Sequence, residues 1–448
     1  MRFLPHTDAD RRAMLETIGV SSMRELFSDI PAEFHIEPGS LELPAARSEA
    51  GIVRRFMRAA EANRHAGNTR CFLGGGAYHH FVPAVVDYVI SRGEFLTAYT
   101  PYQPEISQGT LQALFEFQTM VARLTGMEVA NASMYDAATS VAEAALMARR
   151  VTRKPRVLVS RGVHPAWRRV TANYLSQQDG AVDEADIRDF ATDPQAVASA
   201  VTDETACVIV QYPDAFGAVY DLAPIRAACD AHRCLMVVAF GDATAFGLIA
   251  PPGEFGADIA CGSGQALGIP MGFGGPHIGL FATRQKYVRQ MPGRVCGMTT
   301  DADGKRGFVL TLSTREQHIR REKATSNICS NQGLMTTANA CYLALMGDAG
   351  LAEVARRSAA ALARLTENLP EGVTAAGGAR YNETVISFAD QEARERFLKL
   401  AAERDIFAGI PLERLEPEAD PRHLLVAATE MLDAGDIADW RTALEASL

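Results

Sequence analysis

The sequence predicts a three-layer α/β domain built on a mostly parallel sheet, with a helical arm before it and a small α+β domain after it. Three observations lead there. Between about residues 70 and 340, short apolar runs alternate with amphipathic helical stretches. Before 70, helix starts and stops follow one another with no strand signal. Beyond about 345, strand and helix signals mix within one short span. The expected divisions are therefore 1–70, 71–340 and 341–448.

In the arm, Asp8 stands where it can cap a first helix ending near Gly19. Ser22 can open a second that stops before FSDIPAEF. Ser48 can cap a third, EAGIVRRFMRAAEANRH, whose apolar residues recur at helical spacing. Such an arm is expected to pack on the main domain or on a partner.

The main domain shows strand-length apolar runs at Val157–Ser160, Cys207–Gln211, Leu235–Phe240, Asp258–Cys261 and Ile278–Thr283. Helical stretches such as HPAWRRVTANYL and DLAPIRAACDAHR separate most of them. Strands crossing over through helices give a parallel sheet covered on both faces. Ligands of such sheets sit at the strands' carboxyl ends. In the last span, GLAEVARRSAAALARLTENL reads as a long helix ended by Pro370. RYNETVISF and HLLVAATE read as strands, and ARERFLKLAAERDI as a helix between them.

Composition narrows the function classes. The 448 residues are 48% hydrophobic and 22% charged, so a large core can be buried. The net charge of −10 argues against a nucleic-acid partner, which would want a basic face. The eight cysteines show no CxxC pair and read as reduced core thiols. No apolar run approaches membrane-span length, and MRFLPHTDADRRAM has no apolar signal core. A cytoplasmic location is expected.

Five segments can carry chemistry. Phe72-Leu73-Gly74-Gly75-Gly76-Ala77-Tyr78-His79-His80 has three consecutive glycines, which allow a sharp bend or a close backbone approach. The ordinary alternative is a hinge between arm and main domain. Tyr99 to Gly109, YTPYQPEISQG, is a stiff loop rich in tyrosine, proline and hydrogen-bonding groups, suited to a small-substrate pocket. Its alternative is a packing loop with satisfied tyrosines. Asn131 to Ser140 places a turn before a strong helix. A helix N-terminus can hold phosphate, but Asp136 would cap this one and repel an anion.

The fourth segment runs from Asp258 to Pro276 as a strand, a dense glycine loop and a further strand. Pyridoxal-phosphate enzymes of the large α/β class place their Schiff-base lysine in such a loop. Gln265 stands there, and an amide cannot form a Schiff base. Of the five lysines, Lys154, Lys286, Lys305, Lys323 and Lys399, none follows a core strand. The fifth segment, Thr314 to Asn327, interleaves bases with acids. It is either a solvated charged face or a functional one, a subunit contact or an anion-binding rim, with Arg315, His318, Arg320 and Arg321 as candidate subunit contacts.

Together these segments resemble the P-protein of the glycine cleavage system, the decarboxylating glycine dehydrogenase, and more narrowly its N-terminal half or subunit 1. The stretches that carry the resemblance are FSDIPAEF, FLGGGAYHHFVP, YTPYQPEISQGTLQALFEFQTM, NASMYDAATSVAEAALMA, IPMGFGGPHIG and TREQHIRREKATSNICSNQ. They run to about residue 335, and the last domain carries no diagnostic motif.

The resemblance implies an aminotransferase-like large domain of the pyridoxal-phosphate-dependent transferase type. It implies a partner, subunit 2, that carries the cofactor on a lysine in a segment similar to HKTFCIPHGGGGPG. Matching that pattern puts Gln265 at the lysine position. Ala239 falls where an aspartate would hold the cofactor's ring nitrogen, with Asp242 three residues on.

The implied reaction decarboxylates glycine and passes the aminomethyl group to the lipoyl arm of the H-protein, in an α2β2 assembly. Tyr99, Tyr102, Gln103 and Glu105 are then candidate wall residues of the glycine or lipoyl channel. Two rival readings remain: a scaffold that only stabilises its partner, and an independent cofactor enzyme with a displaced lysine, Lys286 being nearest in sequence. The polar, aromatic loop discriminates against the scaffold, which needs no such loop facing the cofactor.

Overall fold

Continuous apolar strands need cover on both faces, and the central sheet supplies the places where that cover attaches. A computed structural model describes residues 5–36, 39–96, 99–178 and 180–448. Among them the sheet has seven strands: β1 (Val129–Ala130), β2 (Arg156–Ser160), β3 (Ala181–Ala185), β4 (Thr205–Gln211), β5 (Leu235–Phe240), β6 (Ile259–Ser263) and β7 (Gly279–Thr283). Their order is β1-β7-β6-β5-β4-β2-β3. Strands β2 to β6 run parallel, and β7 runs antiparallel to both β6 and β1.

Side-chain alternation divides the core into two layers. Val208, Val210, Met236 and Val238 face one side, where Phe117, Ile225 and Tyr342 cover them from three helices. Cys207, Ile209, Val237 and Ala239 face the other, under Val141, Met147 and Trp167. Every residue of β4 and β5 is buried.

The last part of the chain is a four-stranded sheet of Thr374–Ala375, Glu383–Ser387, His423–Ala427 and Ile410–Pro411, in that spatial order. The helices Gln391–Glu403 and Ala434–Glu445 pack with it around Phe388, Phe397 and Trp440. Phe72 joins this core, and Arg70–Cys71 pair in parallel with Ile406–Phe407. The helix Gly333–Thr366 spans the division expected at 340/341, with Gly347 at φ +57° interrupting its helical path. Its first half buries Met335, Ala338 and Tyr342 in the large core, and its second half buries Ala361, Leu362 and Leu365 in the small one.

Residues 5–63 and 64–448 form two separate compact units. In the first, the helix Asp8–Ile18 is capped by Thr7 rather than by Asp8. Thr7 Oγ1 accepts from Asp10 N at 3.2 Å, and Asp10 Oδ2 accepts from Thr7 N at 2.7 Å. Thr7 can take the extended backbone a cap needs, while Asp8 serves as a first-turn acid. The second helix is a short 3₁₀ turn, Met23–Phe27. Ser48 caps the third, Glu49–Glu61, by accepting from Gly51 N at 3.2 Å. No described residue of this unit is buried. No helix among the described residues is long and apolar enough to cross a membrane.

Candidate functional site

The glycine segment that follows Phe72 meets residues just beyond the carboxyl ends of β5 and β6, where His80 reaches Asp242 and Tyr78 reaches Gln265. Gly74 has no room for a side chain: a Cβ there would lie 2.1 Å from Glu383 Oε1 and 2.7 Å from Ala427 Cβ. Gly75 and Gly76 take φ +70° and +95°, which only glycine adopts without strain. The segment is therefore packed against the small-domain sheet.

That close approach buries a polar network. Glu383 Oε1 accepts from Gly75 N at 2.6 Å, and Oε2 accepts from the Tyr78 hydroxyl at 2.9 Å. Burial pushes the Glu383 carboxyl up to about 8, against the lowering pull of these two hydrogen bonds. His80 lies between two carboxylates, with Nε2 2.8 Å from Asp242 Oδ2 and Nδ1 2.7 Å from Glu430 Oε2. Burial opposes charge on this ring, but Asp242 and Glu430 more than offset it and lift His80 to about 10. Asp242 also accepts from Asn382 Nδ2 at 2.7 Å and from the Thr244 hydroxyl at 2.6 Å. Its carboxyl is held below the usual range: burial works against the charge, and His80 and Thr244 outweigh burial.

Gln265 follows β6 and belongs to the same region. It is buried, and its amide is used up on the backbone: Oε1 accepts from Tyr78 N at 2.8 Å, while Nε2 donates to Tyr78 O at 3.1 Å and Ile269 O at 2.8 Å. Ala239 is fully buried inside β5, on the face covered by the helix Ala137–Thr152. Asp136 is the N-cap of that helix, accepting from Thr139 N at 2.7 Å. Thr139 closes a capping box by accepting from Asp136 N at 3.3 Å. None of the five lysines is buried. Lys286, the nearest to Gln265 in sequence, is 65% exposed and lies 3.9 Å from Asp258.

The loop at 99–109 lies at a second place. Thr100 and Pro101 are buried and root it, whereas Tyr99 is 74% and Tyr102 48% exposed. Gln103 and Glu105 are exposed, and among the described residues their side chains have no hydrogen-bond partner. Gln108 ties the far end to a hairpin of Val295–Thr300 and Arg306–Thr311: its side chain donates to Phe308 O and accepts from Phe308 N, each at 2.9 Å. Tyr102 borders a groove of about 370 Å³ with Pro104, Val309, Leu310, Glu316 and His318.

The basic segment divides by burial. Arg315 turns inward and donates to the carbonyls of Met291, Gly293 and Leu312. Its guanidinium ties the chain to itself, because three convergent carbonyls outcompete solvent for a buried fork. His318, Arg320 and Arg321 are exposed, with His318 edge-on to the Tyr102 ring at 6.2 Å.

Tyr78 and His80 stand inside the glycine motif, so their neighbourhood was readable. Glu383, Asn382 and Glu430 had no signal. They sit in ordinary strand and turn sequence, Asn382 140 residues from Asp242, Glu383 305 from Tyr78 and Glu430 350 from His80, and only the fold brings them in. Among the described residues no group of acids, histidines and cysteines is arranged to hold a metal ion.

The family model of the glycine cleavage system P-protein matches residues 1–444. The probable glycine dehydrogenase (decarboxylating) subunit 1 of Sphingopyxis alaskensis is 49% identical over 452 residues, covering 99% of each chain. Its counterpart in Rhodospirillum centenum is 50% identical over 441 residues, covering 98% of this chain and 97% of that one. A crystal structure of glycine decarboxylase (P-protein) of the glycine cleavage system, in inhibitor-bound form, superposes with a TM-score of 0.90 at 43% identity and covers both chains fully. A sphingosine-1-phosphate lyase of Burkholderia pseudomallei, at 16% identity and TM-score 0.65, shares the fold alone. The large domain has the fold of the pyridoxal-phosphate-dependent transferases, and the chain belongs to the glycine cleavage system P-protein family.

Proposed function

We propose that this chain is the cofactor-less subunit of a glycine decarboxylase, completing the active site of a second subunit that carries pyridoxal phosphate. The observation that carries the reading is Gln265, buried in the loop after β6 with its amide spent on Tyr78 and Ile269. It offers no nucleophile to an aldehyde. The residues around it do not fit the cofactor. A carboxylate, Asp136, already caps the helix where a phosphate would bind, and none of the five lysines is buried. No step of the reaction is assigned to cofactor bound in this chain.

The contribution of this chain is then a wall. Tyr99, Tyr102, Gln103 and Glu105 present hydroxyl, amide and carboxylate groups on a stiff, exposed loop. Such groups can orient glycine or the lipoyl arm of the H-protein and shield the reacting centre from water. The assembly would be α2β2, and the compartment the cytoplasm. A scaffold subunit needs no solvent-facing polar loop of this kind, so Gln103 and Glu105, exposed and free of partners among the described residues, favour the wall.

The test is glycine-dependent release of CO2 by the chain alone and by the chain co-purified with subunit 2. We expect release from the pair only. Glu105→Gln and Tyr102→Phe should each lower the rate by about tenfold or more in pairs that assemble normally, as one positioning contact commonly does. Full activity in both variants would favour the scaffold.

A further inference from the structure

The loop at 99–109 is held from beneath by one buried cation. Arg294 has a side chain only 4% exposed, in the segment between β7 and the hairpin. Its Nη1 donates to Thr100 Oγ1 at 2.9 Å, and its Nη2 donates to the Tyr102 hydroxyl oxygen. Its Nε faces Glu316 Oε2 at 3.2 Å, and Glu316 is itself only 8% exposed. The guanidinium carbon lies 4.9 Å from the centre of the Tyr102 ring. The arginine backbone is fixed as well, since Arg294 O accepts from Ala132 N at 2.8 Å, just beyond β1.

This arrangement exceeds what packing a loop requires. A planar fork has donors in fixed directions, so gripping two loop residues at once, with the Glu316 carboxylate beside it to balance the charge, sets the loop's angle as well as its position. It also decides the chemistry of Tyr102. The phenol oxygen accepts from Arg294, so the hydroxyl's own proton is left to donate elsewhere. Tyr102 lines the groove beside His318, whose Nδ1 is 3.7 Å from the same Glu316 oxygen.

We propose that Arg294 is a positioning residue for the decarboxylation. With Glu316 it orients Tyr102 so that the Tyr102 hydroxyl donates to an anionic or carbonyl oxygen of the ligand in the shared active site. The proposal rests on the wall reading of the loop and adds the residue that sets its donor.

The experiment is a double-mutant cycle in the assembled pair, with glycine-dependent kcat and KM as the readout. Arg294→Met and Tyr102→Phe should each lower kcat/KM by about tenfold or more, and the double variant should fall within about twofold of the worse single. Arg294→Lys keeps the charge but lacks the fork, so it should not restore the rate. An arginine that merely stabilised the loop would lose activity in proportion to lost assembly, and its effect would multiply with that of Tyr102→Phe. Multiplying effects, or a fully active Arg294→Met pair, overturn the proposal. If Tyr102→Phe alone is fully active, the failure lies with the wall reading of this tyrosine instead. Should Arg294→Met not assemble, Arg294→Lys with and without Tyr102→Phe completes the same cycle.

Discussion

Glu383 shows how a single buried carboxyl links the glycine segment to pH. The folded protein keeps its proton up to about pH 8, whereas an unfolded chain releases it near 4.5. The folded state therefore binds more protons through that window, and this group's contribution falls as pH rises from about 4.5 to 8. At 1.36 kcal/mol per unit, the full window amounts to about 5 kcal/mol. His80, raised to about 10 from 6.5, acts with the same sign at higher pH. Glu383→Gln preserves the shape, since its oxygen can accept from Gly75 N and its amide can donate to the Tyr78 oxygen. We expect the variant to fold and to lose Glu383's share of the decline in Tm between about pH 4.5 and 8, keeping the decline from about pH 6.5 to 10 that belongs to His80. Identical pH–Tm curves for variant and wild type would contradict this assignment. The FLGGGAYHH motif marked one side of this network. The other side was invisible, because Glu383 and Glu430 resemble any polar residue of a strand or turn until the small sheet folds onto residue 74.

At the scale of elements, the strands buried on both faces were legible. CVIV and LMVVAF are apolar throughout, and such runs have nowhere to go but the middle of a parallel sheet. The edges were not. β3 reads AVDEA and is largely solvent-facing, while β1 has two residues, so neither shows an apolar run. The hairpin of Val295–Thr300 and Arg306–Thr311 gave no strand signal, because its strands mix exposed and buried positions. The helix Ala137–Thr152 was legible to its cap. Its N-terminus makes a second prediction: Asp136→Ala removes the acceptor for Thr139 N and should destabilise by about 1 kcal/mol, while Asp136→Asn should cost less. Urea midpoints measure both. An alanine variant as stable as wild type would mean that the cap contributes nothing here.

For the whole molecule, the division of labour follows from two kinds of residue. Around the ends of the central strands, polar side chains are already satisfied: Gln265 on the Tyr78 backbone, Asp242 on His80, Asp136 on the backbone of its own helix. On the loop at 99–109, Gln103 and Glu105 face outward, and among the described residues they have no hydrogen-bond partner. The first place is closed chemically; the second is open to a ligand or a partner. The glycine loop and its glutamine made the first legible in sequence. Arg294, in PGRVCGM, carried no motif, so what holds the loop was found only in three dimensions.

The central claim is that the cofactor is bonded to the other chain. Reducing the purified pair with borohydride fixes any Schiff base, and peptide mass spectrometry then locates the label. The account predicts a phosphopyridoxyl lysine in subunit 2 and none on Lys154, Lys286, Lys305, Lys323 or Lys399. A stoichiometric label on any of those five would contradict it.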